Sequence, residues 1–120
     1  MTRLHHVNLG VLPEAVDEER SFLGAVLGYR ELDLSDELRA LGAIWFEDEH
    51  GQQIHLSVDP DHRPAGRAHV ALELGPDAAA VEARLTESGR AVRVVENDGL
   101  RIVLCQDPAG NRWELRSPAA

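Results

Sequence analysis

The sequence has 120 residues, 43 % of them hydrophobic, which is about the size of one domain and enough to bury a core without disulfides or metal staples. A net charge of −9, from twelve basic and twenty-one acidic residues, disfavours nucleic acid as a partner. The longest apolar runs, such as 43–46, are too short to span a bilayer and no signal peptide opens the chain, so we expect a cytoplasmic protein without a membrane partner.

The first half of the chain predicts a strand, a helix and three strands. Residues 4–11 alternate between polar and β-forming apolar side chains, which is typical of a half-buried strand. A helix is expected to begin at Pro13 and to end at Gly28, with its apolar residues on one side. After the helix, we expect strands over 29–34, 42–48 and 52–58, with a loop or short helical turn over 35–41.

The second half predicts the same order of elements. Residues 67–74 have the pattern of a strand, and a helix is expected from Pro76 to Gly89. Three more strands are expected over 91–96, 100–106 and 111–116. The turn 107–110 joins the last two of these strands.

The two halves are also similar residue by residue. His6-Val7 corresponds to His69-Val70, and DEHGQQIHL (48–56) corresponds to DPAGNRWEL (107–115). We therefore predict an α+β domain over 1–120 that contains two βαβββ repeats, at 3–58 and 67–117, with a linker at 59–66. Each half is too small to bury both faces of its sheet alone, so the halves are expected to pair.

Strand parity places metal-capable side chains at equivalent positions of the two repeats. Because alternate side chains of a strand point to opposite faces, His6 and Asn8 lie opposite the apolar, helix-facing residues of their strand. The same rule places His55, His69 and Glu114 on the polar faces of theirs. Imidazole and carboxylate together suit Zn, Ni, Fe or Mn. The pattern thus predicts a divalent metal site of four ligands.

The motifs LHHVNLGV (4–11), VLGY (26–29), RAHVALEL (67–74) and DPAGNRWEL (107–115), in this order, resemble the vicinal oxygen chelate superfamily. This superfamily includes glyoxalase I, bleomycin and fosfomycin resistance proteins, and extradiol dioxygenases. The resemblance implies a curled eight-stranded mixed sheet around a metal cavity, with the helices outside. It also implies metal ligands at His6, His69 and Glu114, and a fourth at the position of His55, where relatives usually have Glu or Gln.

The resemblance further implies a glyoxalase-like lyase or isomerase that acts on a small oxygen-chelating substrate through an enediolate-type intermediate. In such an enzyme Glu114 would be a ligand that loosens and acts as a base, with His55 as a second base. Relatives often pair units from different chains, which implies a homodimer. In that dimer one chain would contribute His6, and its partner His69 and Glu114.

Other functions of this superfamily are open alternatives. An extradiol Fe(II) dioxygenase would use His6, His69 and Glu114 as ligands and would need His55 as an acid–base residue. A fosfomycin-type thiol transferase needs a cationic phosphonate pocket, which a sequence without lysine supports poorly. A metal-free or inactive protein that binds a small molecule or drug and confers resistance is the alternative that is not an enzyme.

The remaining candidate residues are expected to have smaller roles. Asn8 shares the polar face with His6 and is a candidate substrate contact. If the turn 107–110 is tight, Val103 lies opposite Glu114, and Arg101 and Cys105 then face the cavity, where Arg101 could bind an anionic substrate group. Core positions are expected for Cys105, Trp45 and Trp113, and solvated structural roles for His5, His50 and His62.

Overall fold

A computed structural model describes residues 1–90 and 93–119, and these residues form two compact units, Met1–Arg63 and Pro64–Ala120. Each unit contains one βαβββ repeat, as the sequence predicts. Two residues of the predicted strand 91–96, Ala91 and Val92, lie outside the described residues. No helix in the described part of the chain has the length and apolar character needed to cross a membrane.

The first unit is a four-stranded mixed sheet with short helical segments. Its elements are β1 (His6–Val11), α1 (Val16–Ser21), β2 (Arg30–Glu31), α2 (Asp36–Ala40), β3 (Ile44–Glu47) and β4 (Gln53–Val58). The strands lie in the order β1-β4-β3-β2, in which the outer strand β1 runs parallel to β4 and the remaining pairs are antiparallel. In place of the predicted single helix, a 3-10 turn, a short α-helix and a π-helical turn follow one another (Pro13–Ala15, Val16–Ser21 and Phe22–Val26).

The second unit repeats this topology. Its elements are β5 (His69–Glu73), α3 (Ala78–Glu87), β6 (Arg93–Asn97), β7 (Leu100–Gln106) and β8 (Arg112–Pro118). The strands lie in the order β5-β8-β7-β6, with β5 parallel to β8. The α+β class and the two repeats are confirmed, and the eight strands are divided between two hydrogen-bonded sheets.

The apolar core side chains follow the predicted strand parity. In β4, Ile54 and Leu56 are buried on one face and His55 on the other, and in β8, Trp113 and Leu115 are buried. Cys105 is also buried, and this burial, together with the nearby Asp107 carboxylate, raises the pKa of its thiol to about 11. Cys105 and Trp113 therefore have the core positions that the sequence predicts.

A buried carboxylate fixes the turn that precedes β8. Asp107 is 2 % exposed, and its Oδ1 accepts the backbone N–H of Asn111 at 2.8 Å while its Oδ2 accepts the indole N–H of Trp113 at 2.9 Å. In the equivalent turn of the first repeat, the Asp48 side chain accepts two backbone N–H groups, and no side-chain donor reaches it within the described part of the chain. Asp107 thus sets the start of β8, and with it the position of Glu114.

We expect Asp107→Ala to destabilise the protein by about 3 kcal/mol, because it removes a charged acceptor and leaves the buried indole N–H of Trp113 without one. Asp48→Ala is the matched control, with an expected loss of about 1 kcal/mol, since its N–H partners are near solvent. Urea unfolding followed by circular dichroism measures both losses. Equal losses in the two variants would contradict the role of the indole contact.

Candidate metal centre

The polar face of the first sheet carries a stack of three aromatic rings. The imidazole of His55 lies between the ring of His6, at a centroid distance of 3.8 Å, and the indole of Trp45, at 4.3 Å. The rings are nearly parallel, at interplanar angles of 14° and 6°. Trp45 lies directly across from His55 in the register of β3 and β4, so it belongs to this face, and the expectation that it is a core residue is wrong. The stack holds the His55 ring in one plane.

Two further side chains fix which nitrogen of His55 carries the proton. The side-chain amide of Gln53 donates from Nε2 to Oε2 of Glu47 at 3.0 Å, so its Oε1 is the atom that faces His55. Oε1 can only accept, and it lies 2.7 Å from Nε2 of His55, which must therefore be the protonated nitrogen. The lone pair of His55 is then on Nδ1, which has no hydrogen-bond partner among residues 1–90 and 93–119.

The surroundings of His55 keep its imidazole neutral. Burial, followed by the nearby imidazoles of His6 and His5, lowers the pKa of His55 from 6.5 to about 4. A neutral imidazole is the form that binds a metal ion. At neutral pH His55 therefore needs no proton release before it can act as a ligand.

We expect the metal-free protein to lose stability as the pH falls from about 6.5 towards 4, because the unfolded chain binds a proton to His55 in this range and the folded chain does not. Long-range proton–nitrogen NMR spectra should show His55 as the Nε2–H tautomer down to about pH 4. In Gln53→Leu the acceptor for this N–H is gone, and we expect both tautomers. A single Nδ1–H tautomer in the parent would contradict the assigned hydrogen bond.

The other histidines of the first unit have different surroundings, and only those of His62 differ from the sequence expectation. His5 lies with its Nδ1 2.9 Å from Nδ1 of His6, so one of these nitrogens donates and the other accepts, and Nε2 of His6 is left for other partners. His62 packs over Gly10, where a Cβ would collide with its ring, so it lies on the polar face of β1 rather than in a solvated linker. Asn8 is also on this face and accepts a hydrogen bond from Ser57 at 3.0 Å. His50 is exposed in its turn, as expected.

The polar face of the second sheet brings His69 and Glu114 together. Nε2 of His69 lies 3.7 Å from Oε1 of Glu114. Nδ1 of His69 lies 3.1 Å from the backbone carbonyl of Arg67, which can only accept, so Nδ1 carries the proton of the neutral ring. Two lone pairs, on Nε2 and on Oε1, then face each other. The pair thus offers one nitrogen donor and one oxygen donor to a metal ion.

Arg116 holds the other carboxylate oxygen of Glu114. Its Nη1 donates to Oε2 of Glu114 at 2.7 Å, and its Nε donates to Oε1 of Glu73 at 3.2 Å. Arg116 follows Glu114 by two residues in β8 and therefore lies on the same face.

The predicted position of Arg101 is wrong because the β7–β8 register differs by one residue. Leu104, not Val103, lies opposite Glu114, and Arg101 lies opposite Ser117. The physical cause is the turn, in which three residues follow Asp107 before the pairing begins at Asn111, and Gly110 adopts a left-handed φ of 83°.

The one-residue difference places every side chain of β7 on the face opposite to the predicted one. Arg101 consequently lies on the helix side, where it donates to Oε2 and Oε1 of Glu82 in α3, at 3.1 and 2.5 Å, and to Glu96 at 2.5 Å. It ties α3 to the sheet and does not share the face of Glu114. Cys105, opposite Trp113, likewise lies away from that face.

The donor chemistry of the two pairs fits a divalent metal. Histidine ligands of metal ions usually donate their second N–H to a carbonyl or carboxylate, and the Arg67 carbonyl does this for His69. Gln53 provides the same support for His55. Within the described residues, no group of three or more His, Cys, Asp or Glu side chains is placed to hold a metal, and the two pairs lie in different units.

Comparison with known proteins identifies the fold. No family model matches the chain, and no curated protein matches it in sequence. Among solved structures, a protein from Bacillus anthracis assigned to the glyoxalase family has 27 % identity and a TM-score of 0.83 over 98 % of this chain and 96 % of its own. The chain has the vicinal oxygen chelate fold.

Two further structures with the vicinal oxygen chelate fold support this conclusion. A glyoxalase/dioxygenase from Nostoc punctiforme has 24 % identity and a TM-score of 0.79, over 98 % of this chain and 92 % of its own. The fosfomycin resistance protein FosX from Listeria monocytogenes has 17 % identity and a TM-score of 0.76, over 99 % and 95 % of the two chains. At these identities both structures are evidence for the fold alone.

Proposed function

We propose that this chain is a divalent-metal-dependent, glyoxalase-like lyase or isomerase of the vicinal oxygen chelate type. The observation that carries the proposal is the pair formed by His69 and Glu114, in which Nε2 and Oε1, each with a lone pair, face each other at 3.7 Å. His6 and His55 form the corresponding pair at the equivalent positions of the first repeat. We propose that His6, His69 and Glu114 hold the metal, with His55 as the fourth ligand through its Nδ1.

The chain's own residues have distinct roles in the proposed reaction. A bound divalent metal would supply Lewis-acid polarisation of a substrate carbonyl. Glu114 would remove the proton from the carbon next to that carbonyl with Oε1, the oxygen that Arg116 does not hold, and return it to the neighbouring carbon. His55, neutral at the working pH, would be the second base if a substrate oxygen takes its place as ligand.

The identity of the bound metal ion, and how tightly it is held, distinguish the proposed function from its alternatives. The deciding experiment is elemental analysis of protein purified without chelators and without a His-tag. Tightly bound Zn or Ni, near one ion per chain, supports the lyase or isomerase, whereas labile Fe(II) supports an extradiol-type dioxygenase. A folded protein that takes up none of Zn, Ni, Fe or Mn on titration would overturn the metal-dependent function and support a binding protein.

We also propose a homodimer in which each site is shared between two chains, located in the cytoplasm. In this dimer, one chain would contribute His6, and its partner His69 and Glu114. Light scattering that shows a monomer would contradict the shared site.

A complementation experiment tests the shared site once a substrate is known. Inactive His6→Ala and Glu114→Ala chains are unfolded and refolded together. Random pairing makes about half of the dimers mixed, and one of the two sites in each mixed dimer has every ligand. We therefore expect about a quarter of the parental activity to return. Sites built within one chain would leave the mixture at background activity.

A further inference from the structure

Strand β7 is apolar on both of its faces. On the helix side, Val103 and Cys105 are buried. On the opposite face, which the candidate metal ligands of the second unit share, the strand presents Leu100, Ile102 and Leu104, all of them half-buried. A strand with one solvated face usually alternates between apolar and polar residues, whereas a strand that is apolar on both faces is typical of one that is covered on both. The second apolar face of β7 therefore has the composition of a contact surface.

A residue of the neighbouring strand extends this aliphatic surface. Val95 of β6 lies directly across from Ile102 and is also half-buried. Together these side chains form an aliphatic patch, which consists of Leu100, Ile102, Leu104 and Val95. Charged residues border the patch on both sides, Arg93 on β6 and Arg116 on β8. An apolar patch with a polar border is typical of a binding site.

The aliphatic patch begins beside the candidate ligand Glu114. Leu104 lies directly across from Glu114 in the register of β7 and β8, at one strand spacing, which is about 4.8 Å. Along β8, the residues that precede and follow Glu114 on the same face are Arg112 and Arg116. In the other direction across the sheet lies Ala71 of β5, and β5 is an edge strand. An apolar group of a molecule bound at Glu114 therefore finds an extended apolar surface only towards β7 and β6.

We propose that the aliphatic patch binds an apolar substituent of the substrate. The substrate class is thus a small oxygen-chelating carbonyl compound that carries an aliphatic group long enough to cross β7. Such a group and the patch remove each other's apolar surface from water, which favours this substrate over one with a shorter group. This inference rests on the proposed metal-dependent function, because a metal ion at His69 and Glu114 fixes the chelating end of the substrate. It involves only residues of the second unit.

The test compares three probes that chelate a metal through the same two oxygens and differ in the length of the alkyl chain: acetohydroxamate, butanohydroxamate and octanohydroxamate. Isothermal titration of the Zn²⁺-loaded protein measures their binding, after elemental analysis has established the zinc content of each variant. Complete burial of one methylene group tightens binding by about fourfold. Because the patch is open on one side, we expect octanohydroxamate to bind the parent about ten- to hundredfold more tightly than acetohydroxamate does.

Two polar substitutions in the patch should weaken this preference for the longer chain. We expect Ile102→Thr to reduce it by about three- to tenfold and Val95→Thr by about two- to threefold, while the affinity for acetohydroxamate stays parental. Val94→Thr is the matched control, since it makes the same substitution at the adjacent residue, which is 40 % exposed on the opposite face of β6, across from Val103. It should keep the parental preference. If Ile102→Thr does not fold or does not hold zinc, Val95→Thr decides.

Several outcomes would overturn the role of the patch and leave the metal site intact. These are a zinc-loaded parent that binds the three probes equally or binds none of them, and a preference that the patch variants leave at the parental value. If the patch variants keep the preference but lower Tm, or change the oligomeric state in light scattering, the patch is a contact between parts of the protein or between two copies of it. A parent that holds no zinc or other divalent ion overturns this inference and the proposed function together.

Discussion

In a His69→Ala variant, we expect the metal content after dialysis to fall close to zero while the circular dichroism spectrum stays that of the parent. Nε2 of His69 is one of the two atoms that face each other in the second unit, and its loss leaves Glu114 without a partner ligand there. Loss of an outer-shell partner alone weakens metal binding by about ten- to hundredfold, so loss of a ligand should weaken it more. The side chain is 48 % exposed, so its removal creates no cavity in the core.

The control for this variant is His50→Ala. His50 lies in an exposed turn of the first repeat, where its imidazole Nε2 is 3.5 Å from the neighbouring Glu49 carboxylate. We expect it to keep the parental metal content and the parental increase of Tm on metal addition, an increase that should be absent in His69→Ala. Full metal stoichiometry in His69→Ala would exclude His69 as a ligand.

The positions of these candidate ligands follow from the sequence because strand parity is a local property. Each of the four strands that carry them alternates between apolar and polar residues, and the structure places His6, His55, His69 and Glu114 on the polar faces. The repeat places them at equivalent positions, because the same topology recurs in both units. Strand parity did not predict the sheet faces on which Arg101 and Trp45 lie.

The face of Arg101 depends on one residue in a turn. Residues 102–105 of β7 are all apolar and show no alternation, so its faces are set by the register with β8. That register depends on the length of the loop after Asp107, where Gly110 in a left-handed conformation adds the third residue. The glycine at position 110 was the feature of the sequence that could have indicated the longer turn. The face of Trp45 was hidden for another reason, since it lies in a run of four apolar residues, 43–46, that shows no alternation.

The residues that support the candidate ligands were missed because their contacts involve more than one strand. Gln53 precedes His55 by two residues, so parity places it on the same face, but its role also requires Glu47 on β3. Arg116 follows Glu114 by two residues and requires Glu73 on β5. His62 packs over Gly10, which is distant in sequence. A polar residue two positions from a candidate ligand was the available signal for Gln53 and Arg116.

Glu114→Gln is expected to keep much of the metal and to lose turnover by about two to four orders of magnitude. The single amide oxygen of Gln can take the place of Oε1 and coordinate weakly, while its NH2 group cannot accept the N–H of Arg116, so that hydrogen bond is lost. The amide cannot accept a proton at neutral pH, so the base is lost. Metal content and kcat, measured on the same preparation with a substrate that the parent isomerises, separate the two roles.

Glu49→Gln is the matched control for this change, because Glu49 is an exposed carboxylate in the turn of the first repeat and its loss changes the net charge equally. We expect it to keep parental kcat and metal content. If Glu114 were only a ligand, kcat per bound metal ion in Glu114→Gln would stay near the parental value, and turnover would fall only in proportion to the metal lost. A fall of kcat per bound metal ion by orders of magnitude is expected only if Glu114 transfers the proton.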